Sequence, residues 1–222
     1  MARIVQDRAP PPLSTLEHDA SNDAVGTMSR LLGLAGFALV ASITPGPNNS
    51  LLLASGIRFG FGRTLRHVVG TAMGMGLLLF AMAAGVGAVL LAVPGADLAV
   101  KVIGSAYLVY LAFRIATSHG AGGAVVSRPL GVLGGAGFQF ANPKAWLFGL
   151  AAAGTFLPPA LAPIAGALAV AATCVVVILA TASVWAAGGA ALSRLVDGGR
   201  GQRAINLALA LVLAASVAFI WI

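Results

Sequence analysis

The stretch ITPGPNN, residues 43–49, interrupts an apolar segment that begins at Leu31 and resumes as SLLLASG. Proline lacks an N–H and clashes with the carbonyl four residues back. Pro45 and Pro47 therefore predict a broken helix that releases the carbonyls of Ala41 and Ile43, and Gly46 loosens the turn between them. In lipid, freed backbone groups must find partners or line a wet cavity.

The surroundings are those of a membrane. The chain has 222 residues, 59% hydrophobic and 9% charged, against about 25% charged in a soluble domain. Crossing hydrocarbon takes about 20 apolar residues as helix, and apolar stretches at about 31–56, 67–93, 98–116, 134–157, 161–188 and 204–222 predict six spans. The net charge of +7 does not point to nucleic acid, because the basic residues mark topology. Arg58, Arg63, Arg66, Arg114, Arg128, Arg194, Arg200 and Arg203 fall on one side. Lys101 and the N-terminal Arg3, Arg8 and Arg30 fall on the other. The positive-inside rule makes the first side cytoplasmic and places both termini outside.

Residues 1–29 hold four of the six acidic residues and the run Pro10-Pro11-Pro12, and read as a disordered tail. Met28 opens the apolar run and is an alternative start, so the transmembrane domain is read as 30–222. Cys174, the single cysteine, excludes an internal disulfide and reads as an apolar packing residue.

A second break is expected in FQFANPKAWLFGL (138–150), where Asn142, Pro143 and Lys144 interrupt the fourth span. It corresponds in place to Thr44-Pro45-Gly46 in the first. Three spans per half turn the second half upside down, so the expected fold is all-α: six transmembrane helices in two inverted three-helix repeats with helices 1 and 4 broken. Such matched breaks point to the binding site of a secondary transporter. Helix starts attract anions and helix ends attract cations. The first break thus suits a zwitterion, its carboxylate on N–H groups near Asn48, Asn49 and Ser50 and its ammonium on the carbonyls, with Thr44 also contributing. Lys144 is the only charge well inside a span; it either snorkels to the inner face or attracts a substrate carboxylate. Gln139 lies close to the second break and joins the candidate cavity.

TPGPNNSLLLASGIRFGFGRTLRHVVGTAMG (44–74), GSAYLVYLAFRIATS (104–118) and FQFANPKAWLFGLAAAGTFLP (138–158) resemble the signature regions of the LysE/RhtB family of amino-acid exporters. INLALALVLAASV (205–217) is similar to that family's last span. The resemblance is strongest to the branch exporting cysteine and O-acetylserine. It implies a multi-pass permease of the bacterial inner membrane with an amino-acid substrate and a site at Pro45, Gly46, Pro47 and Asn48 with Asn142, Pro143 and Lys144.

Gly70 and Gly74 form a small-residue face in span two, for internal packing or, alternatively, a homodimer contact. Arg58, Arg63, Arg66 and His67 read as anchors at the acidic lipid surface, with a cytoplasmic gate as the alternative. No Asp or Glu lies within a span, so proton coupling would need another group, and no oxygen-rich metal cage or other cofactor site is expected. There is no Ser/His/Asp order, HExxH or carboxylate pair, so an enzyme is not expected. The competing class is a channel or a non-transporting membrane scaffold.

Overall fold

The computed structural model describes residues 13–117, 128–194 and 198–221; the expectations placed on Arg3, Arg8 and the Pro10–Pro12 run lie outside them. Helices α1 (Leu13–Ile43) and α2 (Pro47–Ala81) are followed by a π-helical turn (Met82–Val86) and α3 (Gly87–Ala92). Then come α4 (Ala96–Ala116), α5 (Val132–Ala141), α6 (Pro143–Phe156), α7 (Pro163–Leu192) and α8 (Gly198–Trp221). No strand occurs among the described residues. The backbone is helical from Leu13, so the stretch 13–29, whose composition reads as a tail, continues into the apolar part of α1.

Four stretches are individually long and apolar enough to cross a membrane: Asp19–Ile43, Pro47–Leu90, Leu98–Ala116 and Pro163–Leu192. The expected fourth span is instead divided by Asn142, leaving α5 with 10 residues and α6 with 14. Pro47–Leu90 takes the end of the first expected stretch (31–56) and most of the second (67–93), and is not one rod. Asn48 and Thr71 would stand about 34 Å apart in a continuous helix, yet Thr71 Oγ1 donates to Asn48 Oδ1 at 3.0 Å. Ser55 and Thr64 hydroxyls likewise meet at 2.9 Å. The chain therefore doubles back at Gly60, whose φ of 77° and ψ of 169° lie where a side chain is strained. This hairpin carries the arginine pair Arg58 and Arg63 at its turn.

Glycines set the spacing of the arms. A Cβ on Gly70 would overlap the carbonyl of Val132, and one on Gly74 would overlap Ala136, so this face packs internally against α5. The same contacts fix direction. Gly70 meets Val132 while Gly149 meets Met82, so α5 and α6 run alongside the second arm of the hairpin in the same sense. At the far end Gly33 lies against Phe156, and Arg30 donates to the Thr155 carbonyl at 3.1 Å. The α5–α6 pair is therefore antiparallel to α1. Helix α7 returns in the opposite sense to α6, from Gly166 beside Leu157 to Ala186 beside Gly56. The end of α8 is tied to α4 by Trp221 Nε1 donating to Ser105 Oγ at 2.9 Å.

One apolar core joins α1, the second hairpin arm, α6 and α7 through Leu34, Leu79, Phe148, Val170 and Ile178; buried Cys174 packs within it. A second joins the first arm to α4, α5 and α8 through Leu51, Leu108, Phe138 and Leu213. Outside these cores the surface stays apolar: Ile103 and Val176 are each 70% exposed. So many exposed large apolar side chains call for an apolar partner such as lipid.

Candidate functional site

The candidate site forms where the two breaks meet. At the first, α1 ends at Ile43 and α2 starts at Pro47. A continuous helix would bond the carbonyls of Ser42, Thr44 and Pro45 to the N–H groups of residues 46, 48 and 49, while the carbonyl of Ala41 falls opposite Pro45, which has no N–H to give. The structure pairs them with side chains. Thr44 Oγ1 donates to Ala41 O at 2.7 Å, and Asn49 Nδ2 donates to Ser42 O at 2.7 Å and to Thr44 O at 2.8 Å. Lys144 Nζ, from the first turn of α6, donates to Thr44 Oγ1 at 2.8 Å, Thr44 O at 3.3 Å and Pro45 O at 3.4 Å.

Two expectations change as a result. Lys144 does not snorkel to a membrane face; its ammonium crosses to the negative end of α1, where a cation is favoured. The carbonyls expected to be open for a substrate ammonium already have donors, Asn49 and Lys144.

The second break keeps its backbone bonds by local substitution. Gln139 O loses the partner that Pro143 cannot supply and accepts from Asn142 N at 3.2 Å. Asn142 Oδ1 caps α6 by accepting from Lys144 N at 3.2 Å. Phe140 O, freed by that cap, accepts from Trp146 Nε1 at 2.9 Å. The start of α2 differs, since Gly46 has no side chain to cap it and no side-chain hydrogen bond replaces one. The positive pole of α2 is thus open, and Lys144 Nζ would stand 3.2 Å from a Cβ built on Gly46.

A cleft of about 520 Å³, its open mouth included, lies over this junction. Of the ten residues expected at the site, Gly46, Pro47, Asn48, Asn49, Gln139, Asn142 and Lys144 line it. Thr44, Pro45 and Pro143 do not. Thr44 and Pro45 hold the Lys144 ammonium, while Pro143 packs against α4, where a Cβ on Gly104 would come within 2.6 Å of its ring. The remaining walls are Ala41, Ser42, Met75, Ala145, Phe148, Ile178 and Ala182, with Thr71 and Thr181. Phe37 stacks on Phe148 at 5.1 Å and backs that wall.

The floor is polar and closed. Asn48 Oδ1 accepts from Thr71 Oγ1 at 3.0 Å and from Gln139 Nε2 at 2.9 Å, and Gln139 Nε2 also donates to Gly135 O at 3.2 Å. All three side chains are buried. Reasoning from sequence missed Thr71 and Thr181. Thr71 lies inside GTAMG, which reads as a packing face; a lone hydroxyl in such a face was the available signal. Among the described residues no group of His, Cys, Asp and Glu side chains could hold a metal ion, and no carboxylate lines the cleft, so the Lys144 charge faces it without a counter-anion.

The family profile described as "LysE type translocator" matches residues 39–220. The cysteine/O-acetylserine efflux protein of Salmonella paratyphi A is 35% identical over 124 residues, covering 55% of this chain and 63% of that protein. The protein of the same name from Escherichia coli strain K12 is 31% identical over 178 residues, covering 80% of this chain and 90% of that one. Against the Salmonella relatives the chain thus aligns over less than two thirds of their length. No solved structure matches it.

Proposed function

The chain belongs to the LysE type translocator family, and on that premise we propose that it is a secondary exporter of small neutral amino acids or their derivatives, with cysteine and O-acetylserine the first candidates. The observation that carries the reading is the uncapped start of α2 with the Lys144 ammonium beside Gly46, in a cleft that holds no carboxylate. Free N–H groups at a helix start and an unneutralised ammonium together favour a carboxylate. A substrate ammonium would then share the Ser42 carbonyl with Asn49, because a carbonyl oxygen has two lone pairs and Asn49 takes one. Met75, Phe148 and Ile178 leave apolar room for a short side chain.

Alternating access at this junction is the proposed mechanism. It is supported by the antiparallel course of α1 and α5–α6, whose breaks meet at Lys144 and Thr44. That arrangement accords with six membrane passes in two inverted repeats, and the arginine-bearing side is proposed as cytoplasmic, in a bacterial inner membrane with both termini outside. The hairpin glycines face α5, so a homodimer contact would have to use another surface.

The test is counterflow in proteoliposomes. Saturable uptake of labelled substrate driven by unlabelled cysteine, O-acetylserine or another small amino acid inside is expected. Flux that is linear in concentration and shows no counterflow would refute the carrier reading and favour a channel.

A further inference from the structure

A second cavity lies across the polar floor from the first. It encloses about 710 Å³, its mouth included, and its walls include Leu51, His67, Tyr107, Leu130, Phe138 and Ala141. Three of these residues flank the Asn48–Thr71–Gln139 floor along their own helices. Leu51 lies one turn after Asn48, His67 one turn before Thr71, and Phe138 adjoins Gln139. The two cavities thus share one hydrogen-bonded partition. The second extends from Ala141, beside the break in the fourth apolar segment, to Leu130, which follows Arg128 at the arginine-bearing end of α5.

His67 makes this more than a packing gap. Expected at a membrane edge, it is 1% exposed, and neither ring nitrogen has a hydrogen-bond partner. Buried polar atoms are nearly always satisfied by protein, water or ligand. A neutral imidazole offers one donor and one acceptor. The Tyr107 ring, 6.0 Å from that of Phe138, adds a phenol to an otherwise apolar wall. That combination, mostly apolar with a few polar groups, is the usual make-up of a small-molecule pocket.

We propose that this cavity is the entry subsite, where an exported amino acid coming from the arginine-bearing face is held, with a hydrogen bond to His67, before the Asn48–Thr71–Gln139 partition opens to the cleft at the breaks. The proposal rests on the exporter reading above and adds a second position for the same substrate. Opening the partition breaks both hydrogen bonds accepted by Asn48 Oδ1, and the substrate's polar groups replace them.

Cysteine accessibility tests it. The sole native cysteine, Cys174, is buried, so the parent protein is the unlabelled control. Gly137 lines the cavity and a Cβ there meets nothing within 4 Å, so Gly137→Cys fits without displacing a neighbour. Leu130→Cys is the second reporter, at the end of the cavity that follows Arg128. Both thiols are expected to react with a charged, membrane-impermeant reagent from the arginine-bearing face, and substrate is expected to slow the reaction at Gly137→Cys. In oriented vesicles His67→Phe should raise the KM for substrate presented on that face several-fold, up to about 10-fold for a lost neutral hydrogen bond. KM on the opposite face should not change, and His67→Gln should recover part of the loss.

Thiols unreactive from that face, labelling that no amino acid slows, or equal KM changes on both faces would overturn the subsite. Protection by an amino acid in a protein that shows counterflow of none would retain the subsite and overturn the exporter reading, so the two failures are distinguishable.

Discussion

Replacing Lys144 with methionine removes one charge from the candidate site while keeping most of the side-chain stem. The ammonium stands 2.8 Å from Thr44 Oγ1 and beside the open start of α2. If it also receives a substrate carboxylate, the variant loses one charge-assisted hydrogen bond, worth about 1.5–3 kcal/mol. At about 1.4 kcal/mol per decade, kcat/KM for export should fall about 10- to 150-fold. Lys144→Arg should recover little. A planar guanidinium fork would replace the compact point charge that Thr44 Oγ1 and the Thr44 and Pro45 carbonyls surround. The alternative is that Lys144 only ties α6 to the end of α1. In that case Lys144→Gln, which keeps an N–H donor, should restore thermal stability and efflux together. The assay is initial efflux rate per inserted molecule, with thermal stability in detergent measured in parallel. Near-wild-type rates in Lys144→Met would refute the carboxylate role.

Pro45→Ala with Pro47→Ala should let the helix close through the first break, re-pair Ala41 O and abolish counterflow without lowering the amount inserted; full counterflow would remove the broken helix from the mechanism. Reporters fused after Arg63, Arg128 and Arg200 should all read the cytoplasm and reporters at both chain ends the outside, so an N-terminus found inside would sink the two-inverted-repeat arrangement. Gly74→Val should lower the thermal midpoint and the folded yield, because its side chain meets the backbone at Ala136. A normal melting curve with altered oligomer size would instead show that this face lies between subunits.

The breaks were legible because their cause is covalent. Proline has no N–H wherever it stands, so Pro45, Pro47 and Pro143 announce lost helix bonds in any fold. Composition likewise shows that the exterior cannot be coated with charge, and the exposed Ile103 and Val176 accord with that. What replaces each lost bond is a different matter. Asn49 reaches back to Ser42 and Thr44 only because the turn at Gly46 brings α2 against the end of α1. Thr71 reaches Asn48 only because Gly60 reverses the chain. From sequence, Lys144 had two destinations of similar cost, the membrane face and a cavity, since a flexible four-carbon stem permits either. Packing α6 antiparallel to α1 brings the Thr44 hydroxyl and the carbonyls of Thr44 and Pro45 within reach of that stem, 100 and 99 residues away in the chain. No local pattern encodes that distance, so the identity of the first break was a property of the sequence and its partner a property of the tertiary structure.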